Sequence, residues 1–215
     1  MKKATIILLL LTVCLLSATA QHTIESIRKT YQEVHENMRM MSTNFPGEGI
    51  PMKRYHLEVN HNLPGTGPHM ENIYMYYGEL EDEDEDNPRI YPQHFLQFVT
   101  AKYNFAAHEY YDEYLYDENG EVMFIYLRIT DVDVGQYFDY RIYLDGDHLL
   151  RLNVKETENL KEDFDNIPAT AFRELYDGTK LSKEYREQIL WSKEKAKKFL
   201  SMFKEFENAT YPYDE

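Results

Sequence analysis

His61 and His69 flank a short loop, Asn62-Leu63-Pro64-Gly65-Thr66-Gly67-Pro68, and Glu71 follows two residues after the second histidine. A hairpin closing through that loop brings the imidazoles together. Glu71 then shares a strand face with His69, because residues two apart in a strand point the same way. Two imidazoles and a carboxylate are a sensible zinc set, so His61, His69 and Glu71 are the candidate metal ligands. His56 cannot join them, since an odd separation of five from His61 puts it on the opposite face of a regular strand. The loop glycines are no phosphate cradle, because no Lys-Ser or Lys-Thr follows them.

His108-Glu109-Tyr110-Tyr111-Asp112 has the outline of a zinc-peptidase helix, which needs two histidines four apart. Here the second position is Asp112 and the segment reads as strand, so a polar strand edge is the expectation. Residues 79–86 hold seven acidic residues in eight, broken by Leu80. Without a turn glycine or spaced convergent carboxylates they read as a solvated loop with weak, salt-screened cation binding. Thirty-eight acidic residues make pairs suited to glycoside hydrolysis uninformative by spacing alone. No catalytic residue and no cofactor is assigned.

Tyrosine placement says more. Asn119-Gly120 is a strong two-residue turn signal. Pairing outward from it sets Tyr116 opposite Met123, Tyr114 opposite Ile125 and Tyr110 opposite Ile129, an apolar face for helices to cover. The reverse face carries Tyr111, Glu113, Leu115, Phe124, Tyr126 and Arg128. Tyr111, Phe124 and Tyr126 are the candidate binding residues there, since tyrosine offers contact area, low rotamer entropy and a polar tip for a sugar or a protein. The competing reading is that a second helix covers this face too.

The elements that must hold these groups follow from periodicity. Ile24, Ile27, Tyr31, Val34, Met38 and Met41 recur at helical spacing, with Thr23 as N-cap and Phe45-Pro46-Gly47 as the stop. That stripe reads as core. Residues 54–61, 70–79, 95–105, 109–117, 121–130, 136–144 and 148–154 alternate as strands, with a second turn signal at Asp145-Gly146. Residues 168–176 read as a short helix ended by Gly178. Ser182 then caps a long helix with Tyr185, Ile189, Ala196, Phe199, Phe203 and Phe206 on one face. Strands grouped between helices give an α+β fold: an antiparallel meander of six or seven strands packed by an N-terminal and a C-terminal α-helix.

Lys2 and Lys3, the apolar run from Ile6 to Leu16 and Ala18-Thr19-Ala20 make residues 1–20 a signal peptide, cleaved before Gln21. The single domain is 21–215. The lone cysteine, Cys14, leaves with the signal, and no transmembrane anchor remains. The whole chain has net charge −15; losing Lys2 and Lys3 leaves 21 basic against 38 acidic residues, which disfavours nucleic acid and anionic membranes as partners. The function expected is an exported, non-enzymatic binding module of the bacterial envelope, periplasmic or secreted, with a protein or a neutral ligand such as a glycan as partner. A secreted hydrolase using Asp or Glu, and a carrier of an apolar ligand, are the alternatives.

Overall fold

The computed structural model describes residues 22–43, 52–80, 92–131, 135–157 and 168–211. The signal segment, the Phe45-Pro46-Gly47 stop and the acidic run beyond Leu80 lie outside them. The elements are α1 (Ile24–Thr43), β1 (Lys53–Leu63), β2 (Gly67–Glu79), β3 (His94–Phe105), β4 (His108–Tyr116), β5 (Val122–Asp131), β6 (Gln136–Asp145), β7 (His148–Thr157), β8 (Arg173–Gly178) and α2 (Lys183–Thr210), with a 3-10 turn at Ala169–Ala171. All eight strands form one antiparallel sheet in sequence order. The α+β meander bracketed by helices is as expected, with one strand more.

The additional strand is β8. The segment read as helix makes only the 3-10 turn; Phe172 is already extended, and Glu174 and Tyr176 then pair with Lys155 and Val154 of β7. Ala, Glu and Leu favour a helix locally, but an unpaired β7 edge offers backbone partners that outweigh so weak a preference. Leu175, the residue skipped by the register shift in this pair, is left exposed.

Both helix starts carry side-chain caps. The Thr23 hydroxyl accepts from the Ser26 amide at 3.1 Å while the Thr23 amide donates to Ser26 Oγ at 3.0 Å, a reciprocal cap. Ser182 accepts from the Tyr185 amide at 3.3 Å.

α2 crosses the whole sheet on one face. Its first turns meet β8 through Tyr185 and Tyr176, its middle meets β4 through Phe199 and Tyr114, and its end meets β1 through Phe206 and Tyr55. Twenty-eight residues make about 42 Å of helix, and eight strands span about 34 Å, so the lengths match. Ile189, Ala196, Phe199 and Phe203 pack there with Ile125, Leu127, Ile142 and Val154.

α1 lies on the opposite face, where Ile27 and Val34 pack with Phe98, Leu115, Phe124 and Tyr126. The face bearing Tyr111, Phe124 and Tyr126 is therefore not an open platform: Phe124 is 5% and Tyr126 7% exposed. The apolar stripe of α1 needs a surface to bury, and α2 already occupies the other.

Candidate functional site

α1 does not close its face completely. Beside it, over β4 to β6, lies a cavity of about 590 Å³, and all three candidate binding residues, Tyr111, Phe124 and Tyr126, line it. The sheet register explains the arrangement. Across β4, β5 and β6, Tyr111 pairs with Arg128 and Arg128 with Asp139; Glu113 pairs with Tyr126 and Tyr126 with Arg141; Leu115 pairs with Phe124 and Phe124 with Tyr143. Direct partners share a face, so the side chains form three rows, two that mix rings with charges and a third, Leu115, Phe124 and Tyr143, that carries no charge. Ile27, Arg28 and Tyr31 of α1 form the opposite wall.

Hydrogen bonds fix most of these polar groups. Tyr31 donates to Glu113 Oε2 at 2.6 Å and Tyr111 donates to Oε1 at 2.8 Å, so both carboxylate oxygens are engaged. Tyr126 and Arg141 each donate to Asp139 Oδ2 at 3.1 Å, and Arg128 Nε donates to the Tyr126 oxygen at 2.9 Å. The guanidiniums of Arg128 and Arg141 lie 5.7 and 5.6 Å from the Tyr126 ring centre, and that of Arg28 5.5 Å from Tyr143. These are cation–π distances.

Burial pushes the phenols of Tyr31 and Tyr111 well above the ordinary range, and the Glu113 charge beside them adds to it. Burial raises Tyr126 also, reinforced by Asp139. Asp139 is itself raised by burial, with Arg141 pulling the other way. The phenols thus stay protonated donors at neutral pH.

The expected metal set assembles only in part. His61 pairs with His69 across the β1–β2 hairpin, and Glu71 Oε2 is 3.8 Å from His69 Nε2. The two rings stack, with centroids 6.1 Å apart and planes inclined by 21°. Ring lone pairs lie in the ring plane, so nearly parallel planes do not converge on one ion, and His69 Nδ1 is already 2.6 Å from the Asn104 carbonyl. Among the described residues no group of three His, Cys, Asp or Glu is placed to hold a metal. His108 and Asp112 are four apart on a strand, about 13 Å, as the strand reading required. That strand is interior rather than an edge, and Asp112 is 1% exposed.

Arg28, Tyr31, Arg141 and Tyr143 complete the cavity and were missed from sequence. A period-two signal for two of them exists in Asp139, Arg141 and Tyr143 of β6. The sequence reading places no turn signal between Thr130 and Gln136 to set the β5–β6 register, and the approach of α1 leaves no local trace.

A second polar cluster joins α2 to β1 and β3: Glu207 accepts from Tyr55 at 2.6 Å and lies 2.6 Å from His94 Nδ1. No helix among the described residues is long and apolar enough to cross a membrane. No protein-family model matches the chain, and neither the curated proteins nor the solved structures contain a match.

Proposed function

We propose that the chain is an exported, non-enzymatic binding module of the bacterial envelope that seats a small ligand between α1 and β4 to β6. The observation that carries this is the cavity of about 590 Å³. Its size falls in the usual range for small-ligand sites, and its walls combine rings with oriented polar groups. The disposition of the acids favours binding over hydrolysis. Glu113 spends both oxygens on phenols, and Asp139, whose Oδ2 is taken by Tyr126 and Arg141 and whose Oδ1 is buried, is not among the residues lining the cavity, so neither is presented as a base toward a bound substrate. Export rests on the residues 1–20.

The test is heteronuclear NMR with a library of soluble ring compounds, neutral and acidic. The expected result is shifts clustered at Tyr31, Tyr111, Phe124 and Tyr126, with the compound recovered unaltered. Shifts confined elsewhere, or a compound chemically changed by the protein, would overturn the reading. Intact mass of the protein from its own cells is expected to begin at Gln21.

A further inference from the structure

We infer that β1 joins two copies of this chain, edge to edge and antiparallel, about a two-fold axis at His56. β1 and β8 end the strand order among the described residues, and the two edges differ. β8 is six residues long, and a register shift interrupts its pairing with β7. Shortness and bulging both blunt an edge against further pairing. β1 runs for eleven residues, pairs with β2 without a register shift and contains no proline. A strand that long and regular is a template for another.

The backbone fixes which residues are offered. Within the β1–β2 hairpin the Leu63 carbonyl accepts from the Thr66 amide at 3.2 Å, and the Met70 amide of β2 donates away from β1, to the Asn104 side chain of β3, at 2.8 Å. Backbone groups alternate in direction along a strand. Odd-numbered residues of β1 therefore turn their amides and carbonyls toward β2, whereas Arg54, His56, Glu58, Asn60 and Asn62 turn theirs outward. The side chains of Arg54, His56 and Glu58 are exposed and those of Tyr55, Leu57 and Val59 are half-buried. Tyr55 and Leu57 pack against the core on the α2 side.

The side chains select the occupant. A two-fold axis normal to the sheet sets residues opposite one another at equal distances before and after the residue on the axis, so each copy keeps its faces. With His56 on the axis, Arg54 stands opposite the partner's Glu58 and Tyr55 opposite the partner's Leu57, and symmetry repeats both pairs. One face then carries two opposite-charge pairs, and the other carries two apolar pairs that extend the layer beneath α2. Axes at Tyr55, Leu57 or Glu58 set no arginine opposite a glutamate, and the last brings two Glu58 carboxylates together. A second copy satisfies both faces by symmetry, which an unrelated strand does only by coincidence.

Sedimentation equilibrium of the mature chain, Arg54→Glu, Glu58→Arg, an equimolar mixture of those two variants and His56→Pro tests this, with circular dichroism checking each fold. All three positions are exposed, and proline at an outward-facing amide removes no bond to β2. The wild type should be a reversible dimer, and His56→Pro should abolish it. Each charge reversal sets like charges opposite one another at both pairs and should weaken the dimer by about tenfold or more. The mixture should restore it, because each reversed position then faces the other. A wild type that stays monomeric at its highest soluble concentration overturns the second copy as occupant. A dimer that His56→Pro leaves intact lies elsewhere on the molecule and overturns the β1 edge. A dimer lost in His56→Pro but not restored in the mixture overturns the register that sets Arg54 opposite the partner's Glu58.

Discussion

Asp112 and Glu113 are consecutive in β4, and each is grasped by a different helix. Lys195 of α2 is 2.6 Å from Asp112 Oδ2 on one face of the sheet, and Tyr31 of α1 is 2.6 Å from Glu113 Oε2 on the other. Alternation along a strand sends neighbours to opposite faces. Two adjacent acids, 1% and 4% exposed, thereby fasten both helices to one strand.

Removing Lys195 strands the buried Asp112 with only the Tyr103 and Tyr114 phenols, each at 3.2 Å, as partners. Lys195→Met should cost about 3–5 kcal/mol in urea denaturation, and the double variant Asp112→Leu with Lys195→Met should recover much of that. Burial already raises the Asp112 pKa, and Lys195 is the main group opposing it. In the single variant the folded carboxyl therefore rises further and binds a proton more readily than the unfolded one. Its deficit should shrink as pH falls from neutral toward the ordinary carboxylate range and return as pH rises. A pH-independent deficit would show that Asp112 is not the group responsible.

Ile125 and Tyr126 are adjacent and buried on opposite faces, at 0% and 7% exposure. An open platform would have made Tyr126→Ala the cheap substitution of the two. With α1 over that face, Ile125→Ala and Tyr126→Ala should both be costly, each about 2–5 kcal/mol. Tyr126→Ala also removes a donor from Asp139. A Tyr126 variant as stable as wild type would mean that α1 does not pack there.

The pattern of Ile125 and Tyr126 was legible because it depends on period two alone, as were the α1 and α2 stripes, which depend on helical spacing. What failed was local counting at turns. Asn119-Gly120 does not close a two-residue loop: the Gly120 amide donates to the Asp117 carbonyl and the Asp117 amide to that of Glu121, both at 3.0 Å. That is a three-residue loop ending in the positive-φ Gly120. Tyr114 and Ile125, and Tyr110 and Ile129, still pair as read, but Tyr116 meets Val122 rather than Met123. Met123 is the extra residue of a bulge and joins the α1 side. The cavity was half legible for a different reason. Its strand residues follow from alternation, whereas Arg28 and Tyr31 read as one exposed and one core position of a helix until tertiary packing sets them against β4 and β6.

Alkaline unfolding should be steep. Burial raises the phenols of Tyr103, Tyr114 and Tyr116, and the Asp112 charge adds to the first two; Tyr140 is pushed up to about 12. An unfolded tyrosine releases its proton near pH 10, while these hold theirs in the fold. Stability is therefore unaffected below that pH and is lost as pH rises through it, because the unfolded state binds fewer protons. Absorbance at 295 nm should show the exposed tyrosines titrating first and the buried ones only together with loss of near-UV circular dichroism. Tyrosinate signal from all 19 tyrosines in a still folded protein would contradict this.

Gly65 and Gly120 have nearly the same backbone, with φ of +83° and +82°, but different surroundings. A Cβ at Gly65 meets nothing within 4 Å, whereas one at Gly120 would come 3.0 Å from Leu200 Cδ2 on α2. Gly65→Ala therefore measures the left-handed strain by itself, about 1 kcal/mol. Gly120→Ala adds a close contact between the β4–β5 turn and α2, and should cost more in urea denaturation. Leu200→Ala has its own cost from lost packing, but combined with Gly120→Ala it removes the crowding atom. The double variant should thus be more stable than the sum of the two single changes implies, by about 0.5 kcal/mol or more. Strict additivity would mean that Leu200 yields freely, and the excess cost at Gly120 would then have to come from the turn. A Gly65→Ala cost equal to that of Gly120→Ala would point to strain alone at both sites and leave the α2 contact without weight.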